Sequence, residues 1–120
     1  MDNLQTIIDK QKELQERLGY DMDNMGQEER TAFIKEMSLH LVDEVHEMLR
    51  ELPYLKPWKT YEEDTEAFAT QNIAARVEFI DALHFMMNIG LALGFDDADL
   101  MCDLYVTKND INHKRQEEGY

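Results

Sequence analysis

The sequence predicts an all-α fold, a four-helix bundle forming a single domain over residues 1–120. Three observations support it: apolar residues recur at three- and four-residue steps in four separate segments, no segment alternates in the Val, Ile and Thr pattern of a strand, and no repeat or low-complexity tract breaks the chain.

The first helix is read from Leu4, Ile7, Ile8, Gln11, Leu14, Gln15 and Leu18, with Asp2 or Asn3 as cap and Gly19 as stop. A second covers residues 27 to 51, where Ile34, Met37, Leu41, Val45, Met48 and Leu52 form one stripe that Pro53 closes. Periodicity then fails in PYLKPWKTYEEDTEAFAT, residues 53 to 70, whose prolines, Trp58 and lysines mark an ordered loop of functional interest. The third helix, residues 71 to 93, is apolar on most sides and should be the most buried element. Gly94 ends it. In FDDAD, Asp96 can cap a fourth helix with Asp99 three residues on, and its pattern continues to about residue 117.

Apolar content of 43% can fill a modest core, and association would add to it. Twelve Lys and Arg against twenty-six Asp and Glu leave a charge of -14, which disfavours nucleic acid and anionic membrane as partners. The apolar stretch at 79 to 93 is too short to span a bilayer, and the first residues lack a basic region followed by an apolar run. A lone Cys102 fits a reducing compartment, so a cytoplasmic location is expected.

Inside the apolar third helix, Asp81 is the one charged side chain between Phe79 and Leu93. A carboxylate there must be paired, hydrogen-bonded or bound to metal. Glu78 stands three residues before it, and Glu44 and Glu47 repeat the spacing on the second helix, so each pair shares a helical face. Spacing alone decides little, because about five or six such pairs are expected by chance in so acidic a chain. Position decides more. Glu44 and Glu47 lie on the shoulder of their helix's apolar stripe with Phe33 and His40, and Glu78 and Asp81 share a sector with Ala74, Phe85 and Ala92. Four carboxylates facing a common interior suit Mg²⁺ or Mn²⁺; the alternative is two solvated pairs and one buried salt bridge.

On the fourth helix, Met101, Leu104 and Tyr105 should face inward, and the same stripe continues as Lys108, Asn112 and Arg115. That row can clamp an anion, or it can be an ordinary solvated helix end. Lys56, Trp58 and Lys59 in the loop offer charge for phosphates and a ring for stacking, although Trp58 could equally be a core lid. Together these features describe a metal-dependent enzyme acting on a phosphorylated, ring-bearing small molecule. His84 and Asn88, on one stripe with Asp81, fit supporting hydrogen bonds better than metal ligation.

Two rivals differ in kind. Asp43-x-x-His46 and Asp81-x-x-His84 mimic the Glu-x-x-His motif of di-iron bundles, but with Asp for Glu and with His46 turned away from Glu44 and Glu47. An acidic helical interaction module or DNA mimic would use the charge of -14 but leaves the cation row unexplained.

LQERLG at 14–19, EVHE at 44–47, LKPWK at 55–59, EFID at 78–81 and YVTKNDINHKRQEEGY at 105–120 resemble, in order, the motifs of the all-α nucleoside triphosphate pyrophosphohydrolases that include dimeric dUTPases and MazG-like enzymes. The likeness is strongest to bacteriophage members acting on dCTP and dUTP. It implies Mg²⁺-dependent hydrolysis of a deoxynucleoside triphosphate to monophosphate and pyrophosphate, for nucleotide-pool control. Glu44, Glu47, Glu78 and Asp81 would bind metal, with Glu44 or Glu47 as base. Lys108, Asn112, Arg115 and Tyr120 would contact the triphosphate, and Gln15, Trp58 and Lys59 would lie near base or sugar. The resemblance also implies a homo-oligomer, a dimer first, since this chain is shorter than typical dimeric dUTPases. At Gly19 the sequence departs from the Asn that dimeric dUTPases carry in their uracil pocket, so dUTP, dCTP and other or modified deoxynucleotides all remain open.

Overall fold

The computed structural model describes residues 2–63 and 65–119. Its four helices are α1 (Asn3–Arg17), α2 (Gln27–Arg50), α3 (Thr65–Ala92) and α4 (Ala98–Glu117), and no strand occurs among the described residues. The all-α class holds.

Helix α1 is capped by Asp2, whose side chain accepts from the Leu4 and Gln5 N–H groups. Gly19 follows its end at φ +96°, a left-handed conformation that a side-chain-bearing residue adopts at a cost. The inner face of α1 carries Ile8, Gln11 and Gln15, all buried. Around Ile8 the core gathers Met22, Met25, Phe33, Met37, Met87, Leu91, Ala92 and Ala98. Four of these nine are methionines, unbranched side chains that fill irregular gaps where helices cross unevenly.

Helices α2 and α3 form an antiparallel hairpin with a fixed register. Arg30 Nη1 donates to the Ala92 carbonyl at 2.6 Å, Asn88 Nδ2 lies 3.4 Å from Met37 Sδ, and the His40 ring stacks on Phe85 at 5.3 Å. Buried Gln11 donates to Asn88 Oδ1 and ties α1 to the same seam.

Several expectations change. Helix α3 begins six residues before residue 71, because the helix-forming run at 66–69 continues it and Phe68 packs on Tyr54 with ring centroids 4.9 Å apart. The loop is correspondingly shorter, and Tyr54 holds it at φ 59°. Asp97, not Asp96, caps α4 by accepting from the Asp99 N–H at 2.8 Å. On α2 the expected stripe packs, with Met37 buried and Ile34, Leu41 and Met48 half-buried, but the packed face extends to one side of it: Phe33 is buried and Glu44 and Glu47 half-buried, whereas Val45 is exposed. The glutamates therefore line the seam instead of standing at its shoulder.

Helix α3 is the hub of the packing but is not buried all round, since Ile73, Val77, Phe79, Ile80 and Met86 are exposed. Helix α4 meets the rest of the chain at its start, against α1 and, through Met101, beside Gly90 of α3. Only Ala98 and Met101 reach the core; Leu104 and Tyr105 are exposed, and with them Lys108, Asn112 and Arg115. Of the expected inward stripe on α4, Met101 is covered within one chain, whereas Leu104 and Tyr105 lie beyond the reach of α2 and α3.

These open faces enlarge the molecule. The radius of gyration is 18.2 Å, against about 14 Å for a compact chain of this length. The accessible surface is 9268 Å², against roughly 6,800 Å² for a compact monomer of this mass.

Candidate metal centre

One turn beyond the His40–Phe85 stack, the α2–α3 register brings the acidic pairs face to face. Glu44, Glu47 and Glu78 each present a carboxylate oxygen, all within 4.8 Å of one another. Their residues are half-buried, so water cannot fully screen the three charges. One oxygen of Glu44 and one of Glu78 are buried with no hydrogen-bond partner. Such orphaned acceptors destabilise a fold unless something fills their coordination.

The electrostatics follow from this crowding. Loss of hydration is the main cause that pushes the Glu44 carboxyl up to about 7, followed by the charges of Glu47, Asp81 and Glu78 and a hydrogen bond with Glu47. Glu78 is raised for the same first reason, then by its hydrogen bond with Glu47 and the charges of Glu47 and Asp81. Asp81 thus lies near enough to act on both, although the group of three oxygens does not include it.

The donor set fits a hard divalent cation. Its donors are all carboxylate oxygens, Glu44 and Glu78 each hold one buried oxygen without a partner, and a cation would reverse the repulsion that raises both. No histidine joins it among the described residues. His46 is exposed, and His84 Nδ1 lies 2.8 Å from the Ile80 carbonyl of its own helix. That favours Mg²⁺ or Mn²⁺ chemistry over a di-iron centre.

Other candidate residues lie elsewhere. Gln15 is buried on α1 with Oε1 unpartnered, so it has an acceptor to offer inside the protein. Lys56, Trp58 and Lys59 stand exposed in the α2–α3 loop, Trp58 at 78%, which excludes Trp58 as a core lid within one chain. Lys108, Asn112 and Arg115 are carried on α4, away from the α2–α3 seam. Tyr120 lies outside the described residues. Asn88 makes the supporting core hydrogen bonds its position suggests.

Gln71 went unread in the sequence. Its Oε1 is buried without a partner, and it sits two turns before Glu78 on the same face of α3, an i,i+7 spacing that could have drawn attention to it.

Comparison with known proteins bears on this geometry. The family model described as dUTPase matches residues 3–100. A "dCTP pyrophosphatase" of Enterobacteria phage LZ5 is 28% identical over an alignment that covers all of this chain and 84% of the relative. No solved structure matches the chain. No helix among the described residues is long and apolar enough to cross a membrane.

Proposed function

This chain belongs to the dUTPase family and is a nucleoside triphosphate pyrophosphatase, and from that premise we propose that it cleaves dUTP, dCTP or both, with Mg²⁺, to the monophosphate and pyrophosphate in the cytoplasm. The observation that carries the metal dependence is the pair of buried, unpartnered oxygens on Glu44 and Glu78, in a cluster where Glu44, Glu47 and Glu78 each bring a carboxylate oxygen within 4.8 Å of the others. The dCTP activity named for the phage relative supports a pyrimidine deoxynucleotide.

Glu44, Glu47, Glu78 and Asp81 would hold the cation. Bound there, it would polarise the phosphoryl oxygens and make water more acidic. The chain's own residues supply the rest. Glu44 or Glu47 accepts a proton from the attacking water. Lys108, Asn112, Arg115 and Tyr120 neutralise and orient the triphosphate. Gln15, with its buried free acceptor, and Trp58 and Lys59 lie toward base and sugar, while Lys56 adds charge for the phosphates.

A homodimer completes this arrangement. The exposed length of α4 that carries the cations packs on neither helix of the acidic seam, so the cations of one chain serve the carboxylates of its partner. About 2,500 Å² of accessible surface in excess of a compact monomer is within the range that stable interfaces cover. The deciding experiment is a panel of dNTPs and NTPs with Mg²⁺, monitored by pyrophosphate release. Turnover led by dUTP or dCTP is expected, and no release from any of them would refute the assignment.

A further inference from the structure

The geometry points to Gln5 as a positioning residue for the substrate contacts carried by α4, a role that rests on the assignment of Lys108, Asn112 and Arg115 to the triphosphate. The Gln5 side chain bridges α1 to the turn before α4. Its Oε1 accepts from the Ala98 N–H at 2.7 Å, and its Nε2 donates to the Asp96 carbonyl at 3.0 Å and to Asp9 Oδ1 at 2.8 Å. The reverse amide orientation would set Nε2 against an N–H and Oε1 against two oxygens, so these partners select one orientation. Asp9, one turn along the same helix, holds the amide in it.

The two groups that Gln5 grips on the far side flank Asp97, the residue at which the chain turns into α4. Gripping the carbonyl before this pivot and the N–H after it fixes the direction in which the helix leaves. Asp97 caps the Asp99 N–H from the residue before α4, and Gln5 meets the Ala98 donor from α1. Among the described residues, the other contacts that seat the start of α4 lie at the same end: Ala98 is buried and Met101 packs against the core beside Gly90 of α3, whereas residues 102–119 are exposed.

Leverage makes the joint matter. At about 1.5 Å rise per residue, Lys108 lies roughly 15 Å from Ala98 and Arg115 roughly 26 Å. A tilt of about 10° at the joint then moves Lys108 by roughly 2.6 Å and Arg115 by roughly 4.5 Å along the same helical geometry. A misplacement of about 1 Å can cost a reaction up to 100-fold. Gln5 touches neither substrate nor metal, yet it sets where a distant guanidinium stands.

The experiment is a pair of double-mutant cycles: Gln5→Met, alike in volume but without the three polar contacts, is combined with Arg115→Ala and with Lys108→Ala. Readouts are kcat and KM for the best deoxynucleoside triphosphate, Mg²⁺ affinity and circular dichroism. Gln5→Met should raise KM about tenfold with Mg²⁺ affinity and helical content unchanged. In the Arg115→Ala background its effect should shrink to less than about twofold, since the misplaced group is already gone, and it should shrink less with Lys108→Ala, which lies nearer the joint. Should Gln5→Met fail to fold, Gln5→Glu, which keeps the acceptor for Ala98 but repels Asp9 and the Asp96 carbonyl, takes its place in the same cycles. A wild-type KM, or an equal loss with and without Arg115, would overturn the positioning role while leaving the assigned function standing. If Arg115→Ala and Lys108→Ala are themselves silent, the assignment of α4 to the triphosphate fails and the role of Gln5 fails with it.

Discussion

Metal binding should be tied to pH through Glu44. Its carboxyl stands at about 7 in the metal-free protein, because burial first and the charges of Glu47, Asp81 and Glu78 next oppose its ionisation. A cation takes the carboxylate form, so the effective Kd is multiplied by 1 plus the ratio of protonated to ionised Glu44. That factor is about 1.1 at pH 8, about 2 at pH 7 and about 11 at pH 6, roughly a tenfold loss of affinity across the range. Glu78, raised in the same direction, can only steepen it. Titration calorimetry of Mg²⁺ in buffers of different ionisation enthalpy should show about half a proton released from Glu44 per site at pH 7. The sign for stability follows from linkage: a carboxyl raised in the folded state stabilises fully below its ordinary value of 4.5 and loses that contribution as pH rises through about 7. The metal-free protein should therefore melt lower at pH 8 than at pH 5, and Mg²⁺ should restore it most at pH 8. Affinity that is flat from pH 6 to 8, with no proton released, would refute the coupling.

Replacing Glu47 by Gln or Asp81 by Asn should cut turnover by at least about 100-fold, while the metal-free melting temperature holds or rises as repulsion is relieved; near wild-type rates at saturating Mg²⁺ would make these acids structural. Gly19→Asn meets open space, with nothing within 4 Å of an added Cβ, and Asn is the residue that best tolerates the left-handed φ of +96°. It should cost less than about 1 kcal/mol and raise kcat/KM for dUTP relative to dCTP, and an unchanged ratio would separate Gly19 from base choice. Light scattering at micromolar concentration should give a dimer. Mixing inactive Glu44→Gln chains with impaired Arg115→Ala chains should raise activity above that of Arg115→Ala alone if one chain's α4 serves the other's carboxylates; no gain from a mixture shown to exchange subunits would place both sets in the same chain.

What was legible in the sequence was what neighbours along the chain decide. The α1 boundaries could be read from Asp2 and Gly19 because a cap and a left-handed stop are made within a few residues. The acidic pairs could be read because i,i+3 spacing fixes a shared face whatever else the helix touches. Choices settled by distant partners could not. Asp96 and Asp97 are equivalent as caps until Gln5, 91 residues away, takes the Asp96 carbonyl. The start of α3 depends on Phe68 finding Tyr54 across the loop. Periodicity showed that Leu104 and Tyr105 share a face with Lys108, but an apolar stripe does not say whether its own chain or another one covers it.

The separation of α4 from the acidic seam also has a chemical consequence. Placed within reach of Glu44, Glu47 and Glu78, the ammonium of Lys108 and the guanidinium of Arg115 would pair with them directly and lower Glu44 from its position near 7. Such pairs would satisfy the orphaned oxygens and leave neither set available to a cation or a phosphate. On the exposed length of α4, the cations stay out of that contact within one chain. A triphosphate carries the complementary arrangement, since its oxygens can accept from the cations while a divalent ion joins them to the carboxylates. Substrate and metal together would then engage both halves at once. Mg²⁺ without nucleotide should accordingly bind more weakly than Mg²⁺ with a non-hydrolysable deoxynucleotide analogue. The analogue should lose that advantage in Arg115→Ala, where the carboxylates are intact but their counterpart is missing. Equal Mg²⁺ affinity with and without the analogue in the wild-type protein would show that the two halves act independently.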